Sequence, residues 1–152
     1  MAKLKPWPVD SVDHYQVIAQ RRIRLEAIIT TCLQEGCRER NKELLRRLNR
    51  LVYMRAREIQ NAANSIATLL PANQGRPPKW FTVTLDISAA AMSIIELAGE
   101  IDQALKTNEF IYIESLLKCA AGKLRRIEAL LNQHPNQCLE VWREAVEEIR
   151  DL

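Results

Sequence analysis

Residues 42–66 read KELLRRLNRLVYMRAREIQNAANSI. At about 3.6 residues per turn, Lys42, Arg46, Arg50, Tyr53 and Arg57 fall on one side of a helix. Leu44, Leu45, Leu48, Leu51, Val52, Ile59, Ala62, Ala63 and Ile66 fall opposite. One flank asks for a core and the other for an anion. From Lys42 to Arg57 the rise is about 22 Å at 1.5 Å per residue, long enough to follow several successive phosphates of a nucleic-acid backbone. A face that only solubilises mixes signs for i,i+4 pairing, whereas here Glu43 is the main acid beside the cations. The ridge is mostly arginine, whose planar fork of donors matches phosphate oxygens, and Tyr53 can stack on a base. The plainer reading of the same residues is a solvated helix face.

Charge is distributed unevenly around this helix. Between Arg21 and Glu58 there are eleven Lys or Arg against five acids, a local balance of +6 within a chain whose total is only +3. From Asp86 to Glu114 the sign reverses, with six acids against Lys106 alone. The molecule is expected to have a positive and a negative side. A length of 152 residues with 47% hydrophobic content suffices for one compact core, so a single domain over residues 1–152 is expected.

The remaining periodicity is helical as well. After the lead-in holding Pro6, Trp7 and Pro8, Asp10 or Ser11 can cap a helix to about Gln34, with Gly36 as its stop. The basic helix runs from about Glu39 to Leu70 and ends before Pro71. A long internal loop over residues 71–83 follows, containing Gly75, Pro77 and Pro78. A third helix, about Asp86 to Lys106, repeats Ile87, Ala91, Ile94, Ala98, Ile101 and Leu105. The fourth repeats Phe110, Ile113, Leu117, Ala120, Leu124, Ile127 and Leu131, after a Thr107-Asn108 turn short enough to make the two antiparallel. Pro135 suits the first turn of a last helix, with Cys138, Val141, Trp142, Ala145 and Ile149 inward. Strand-like alternation is confined to Trp80–Leu85, too short for a sheet. The fold class expected is all-α, a bundle of about five helices.

Several other residues have two readings. Arg22 and Arg55 project into the middle of apolar stripes. They are either members of buried ion pairs, with Asp102 or Glu114 as partners, or lining of a cleft that holds a strand. Arg76 and Lys79 beside Trp80 and Phe81 offer the basic-plus-aromatic chemistry of single-strand binding, or the two rings plug the end of the bundle. Lys118 and Arg125, in a cluster with Lys123 and Arg126, share a side of the fourth helix and either extend the positive surface or are simply solvated.

Catalysis finds little support. His14 and His134 lack a neighbouring nucleophile signature, carboxylates are scattered, and no metal-ligand spacing occurs. Four glycines, at 36, 75, 99 and 122, do not form a phosphate loop. Cys32, Cys37, Cys119 and Cys138 contain no C-x-x-C pair, and three of them occupy apolar helical positions. No enzyme, cofactor or metal is expected. Without a leader-like apolar run or a stretch of membrane-spanning length, the chain reads as cytoplasmic, reduced and free of membrane contact.

The combination of size, all-helical periodicity, an arginine-lined helix and no catalytic motif resembles the small helical subunit of multi-subunit CRISPR effector complexes of the Cascade type. The resemblance covers the whole chain and rests on architecture and charge layout. It implies a non-catalytic, sequence-independent nucleic-acid-binding subunit in a ribonucleoprotein of antiviral defence, contacting the guide–target duplex or the displaced strand while the guide supplies specificity. Lys42, Arg46, Arg50 and Arg57 would carry that contact. Its partners would be RNA, DNA or a hybrid, other effector subunits, and further copies of itself stacked in tandem by opposite charge. Two other classes compete: a helical protein-interaction adaptor that binds no nucleic acid, and a terminase- or replication-type accessory protein.

Overall fold

The computed structural model describes residues 11–70 and 75–133, and over these the protein is helical, with no strand. Four α-helices are present: α1 (Val12–Thr31), α2 (Lys42–Ala67), α3 (Lys79–Lys106) and α4 (Phe110–Gln133). A π-helical turn, Cys32–Cys37, prolongs α1. Each helix packs on the next and α4 returns to α1, so the four form a closed bundle with α2 diagonal to α4. Neighbours run antiparallel. Asn49 meets Ala98 while Asn64 meets Ser88, and Arg21 meets Glu58 while Gly36 abuts Leu45. The expected fifth helix, with Pro135 and Cys138, lies outside the described residues.

The core follows the apolar spacing. Leu45, Val52, Ile59, Ala63 and Ile66 of α2 face Ile87, Ala91, Ile94, Ala98 and Ile101 of α3, with Ile113, Leu117, Leu124 and Ile127 of α4 and Ile18, Leu25 and Ile29 of α1 closing the interior. Each fully buried branched side chain contributes about 1.5–3 kcal/mol relative to exposure. One polar pair is buried diagonally between α1 and α3. The Thr84 hydroxyl donates to the Trp80 carbonyl at 2.7 Å, so at the 2.6 Å contact between Tyr15 and Thr84 the phenol is the donor.

Helix ends show where sequence reading needed correction. Gly36 does not stop α1, because no glycine has a positive φ among the described residues. The stop is Arg40, at φ 52°, with Arg40 N–H donating to Cys37 O and Asn41 N–H to Gly36 O, a Schellman closure. Asn108, at φ 57°, closes α3 the same way, its N–H reaching Leu105 O and that of Glu109 reaching Ala104 O. Asn41 then caps α2, its side chain accepting from the Leu44 N–H at 3.1 Å.

The loop expected over 71–83 is shorter. Pro78 sits in extended backbone and its carbonyl accepts the N–H groups of Phe81 and Thr82, so α3 begins at Lys79. Trp80 is buried, and Phe81 stands edge-on to it at 6.1 Å and 89°. The rings are helix-borne and pack at the bundle end. By length and composition α3 is apolar enough to cross a membrane, contrary to expectation, but its Ile87–Leu105 stripe is buried against its neighbours.

Candidate nucleic-acid interface

The cationic flank of α2 lies beside α3: Asn49, Gln60 and Asn64, close to the ridge around the helix, all reach α3. Between the two helices runs a groove of about 840 Å³. Arg46, Arg47, Arg50 and Tyr53 line it from α2; Ile95, Gly99, Asp102 and Lys106 line it from α3. Arg46, Arg50, Tyr53 and Arg57 are exposed and Lys42 is half-buried. Lys42 and Arg57 continue the ridge beyond the groove. Glu43 is shared by Arg46 at 3.3 Å and Arg47 at 3.2 Å, both exposed pairs of little energetic weight. Arg50 and Arg57 form no ion pair with any described residue. Two guanidinium groups with their forks open to solvent, one arginine half-shared with an acid, and a phenol between them therefore occupy one edge.

The groove floor is polar in one place. Asn49, 2% exposed, donates from Nδ2 to the Ala98 carbonyl at 2.9 Å and to Asp102 Oδ1 at 2.8 Å. Both partners are acceptors, so the amide cannot be turned the other way, and the buried Oδ1 of Asn49 has no hydrogen-bond partner among the described residues. Periodicity alone did not single out Asn49. The available signal was an amide one turn from Leu45 and Val52 on an otherwise apolar stripe.

The other sequence-designated cations separate from this edge. Arg22, its side chain 14% exposed, pairs with Glu26 at 3.0 Å and with Glu128 of α4 at 3.4 Å. Arg55 pairs with Glu58, which also takes Arg21 from α1. The expected acids are engaged elsewhere: Asp102 holds Asn49, and Glu114 pairs with Lys118 at 3.4 Å. Geometry explains the change, since Arg22 sits on the α1/α4 seam and Arg55 finds an acid three residues along its own helix. Arg125 lies with Arg22 and Glu128 in a smaller cleft of about 350 Å³ between α1 and α4. Lys118 and Arg125 thus sit on the helix diagonal to the ridge, not on a continuation of it.

Among the described residues no cluster of three metal-ligating side chains occurs. The thiols differ in environment. Burial pushes Cys32 up to about 12, with Cys37 adding to the effect, and burial followed by the Glu114 charge pushes Cys37 up to about 11. Cys119 is exposed, and Cys138 and His134 lie outside the described residues. Searches against protein-family models, curated proteins and solved structures find no match to this chain.

Proposed function

We propose that this protein is a non-catalytic nucleic-acid-binding subunit that grips the phosphate backbone along the α2 ridge without choosing a sequence. One observation carries the reading: Arg50 and Arg57 stand exposed and free of carboxylates on the same edge as Arg46 and Tyr53. An edge built for solubility would spread acids among its bases; this one leaves planar donors open at a spacing suited to successive phosphates. Service as the small subunit of a guide-RNA effector is supported by the helical architecture and the charge layout alone. Neighbouring reading frames for a guide-binding effector would add to that support, and an unrelated operon would remove it. Exposed Glu96 and Glu100 on α3 give each molecule both signs of charge, which supports tandem association on a strand. A strict monomer in sedimentation at high concentration, with and without oligonucleotide, would count against it.

The test is a salt titration with labelled single- and double-stranded oligonucleotides. Four phosphate contacts, by Lys42, Arg46, Arg50 and Arg57, give a slope of log affinity against log salt of about −3 on single strands. Arg46→Ala/Arg50→Ala/Arg57→Ala should lower it to about −1. A control triple at exposed positions off the ridge, Arg24→Ala/Arg38→Ala/Arg126→Ala, removes the same net charge and should keep the steep slope. Equal loss in both triples would reduce the ridge to bulk charge and end the proposal. A protein-binding adaptor is favoured by one feature, Ile111 at 80% and Tyr112 at 48% exposure on α4, and it predicts partner binding nearly indifferent to salt.

A further inference from the structure

The α2/α3 groove has features that phosphate contact does not require. Cations predominate in its lining, with Arg46, Arg47, Arg50 and Lys106 beside Glu43, an acid already paired with Arg46 and Arg47, while the exposed Asp102 carboxylate of α3 presents acceptors to the same space. Asp102 forms no ion pair with any described residue although Arg46, Arg50 and Lys106 line the same groove. It is held instead by the Asn49 amide through Oδ1, and its second oxygen has no partner among the described residues. An acid placed to quench the ridge would sit against a guanidinium. This one is anchored by a neutral amide and left facing a cleft.

Gly99 points the same way. It lies inside α3, where glycine is less stable than alanine by about 0.5–1 kcal/mol, yet a Cβ built there meets nothing within 4 Å. No close helix contact explains the missing side chain, so the gap remains as open groove.

A ligand that engages both Asp102 and the cations turns adjacent N–H donors toward the carboxylate and negative charge toward Arg46 and Arg50. Among nucleobases only guanine sets two neighbouring donors, N1–H and the 2-amino group, on its Watson–Crick edge. Adenine and cytosine pair one donor with an acceptor, and uracil and thymine flank their single N–H with two carbonyls that a carboxylate repels. A groove of about 840 Å³ is within the usual range for small-ligand sites. We propose that this groove is a guanine pocket, in which the Asp102 carboxylate accepts from N1–H and the 2-amino group, Tyr53 lies against the base, and Arg46 and Arg50 hold the flanking phosphates. This rests on the nucleic-acid reading above and adds to it a base preference layered on sequence-independent backbone affinity.

The experiment uses the full chain and fluorescein-labelled heptanucleotides with a single central guanine, inosine or adenine in an adenine background, followed by anisotropy. Guanine should bind about tenfold tighter than adenine, and inosine, lacking the 2-amino donor, should fall between. Asp102→Asn keeps an acceptor for the Asn49 amide and should erase the guanine preference while retaining salt-dependent binding. Gly99→Leu, whose Cβ meets nothing within 4 Å and whose side chain extends into the groove, should do the same with unimpaired thermal stability. If wild type binds all three heptamers equally and with a steep salt slope, the pocket is refuted and the ridge stands. If the preference survives Asp102→Asn, Asp102 is not the reader and the assignment is wrong. If no heptamer binds, both readings fall together.

Discussion

Replacing Asn49 by leucine should leave the protein as stable as before, or slightly more so, although it removes one buried and one part-buried hydrogen bond. The bonds from Nδ2 to Ala98 O and Asp102 Oδ1 contribute about 0.5–1.5 kcal/mol each. Neither partner is stranded by their loss, because the Ala98 carbonyl lies in the α3 ladder and Asp102 is exposed. Against that loss stands removal of a buried acceptor without a donor, which costs about 1–3 kcal/mol where it occurs. The two terms cancel to within about 1 kcal/mol, or about 2–4 °C in Tm for a domain of this size. Asn49→Asp is the opposite perturbation: it removes both donors and sets a second carboxylate against Asp102, for a loss above about 3 kcal/mol at neutral pH. Burial and the Asp102 charge raise the folded pKa of the new carboxyl above its unfolded value. The deficit is therefore full above the folded pKa and shrinks as pH falls from there toward the unfolded pKa. Urea unfolding of both variants at pH 7 and pH 5, followed by circular dichroism, reads these differences. A loss beyond about 2 kcal/mol in Asn49→Leu would mean that the amide oxygen is satisfied in solution and that the groove floor has been misread.

Two glycines should respond in opposite directions. A Cβ at Gly36 would overlap Leu45 Cδ2 and lie 2.7 Å from its Cγ, and Leu45 is itself buried, so Gly36→Ala should destabilise by about 1–3 kcal/mol. Gly99→Ala should stabilise by about 0.5–1 kcal/mol; thermal melts moving the same way for both would contradict the packing described. Cys119 should label rapidly with a maleimide at pH 8 while Cys32 and Cys37 stay protected until the protein unfolds. Because the folded pKa values of those two thiols are raised from 9.0 to about 12 and about 11, their contribution to stability is complete below pH 9 and is lost as pH climbs through that window. A stability curve flat from pH 8 to pH 11 would argue against thiols held protonated by the fold.

Much of the fold was legible because it rests on period and punctuation. The apolar repeats of α2, α3 and α4 predicted which residues are buried, and the Thr107-Asn108 turn predicted the antiparallel pair, since Asn tolerates the left-handed conformation found at Asn108. At the start of α3 composition and fold disagree: Trp-Phe-Thr-Val-Thr-Leu has the β-branched and aromatic composition of a strand. Yet Trp80, Val83, Thr84 and Ile87 already carried the i, i+3, i+4, i+7 spacing, and burial of that face decided the matter. Composition alone suggests a helix stop at Gly36, whereas its role is steric, set by Leu45 from another element.

The all-helical class, the inward stripes and the cationic edge of α2 follow from local periodicity, which fixes which side chains share a face. What each face meets depends on packing between helices distant in the chain. That packing put α3 beside the ridge and so made a groove, gave Arg22 and Arg55 carboxylates on the seams they occupy, set Lys118 and Arg125 on the diagonal helix, and tied Asn49 to Asp102. Those pairings join residues up to 106 positions apart. Their partners follow from how four helices close around one core, which no single helix encodes.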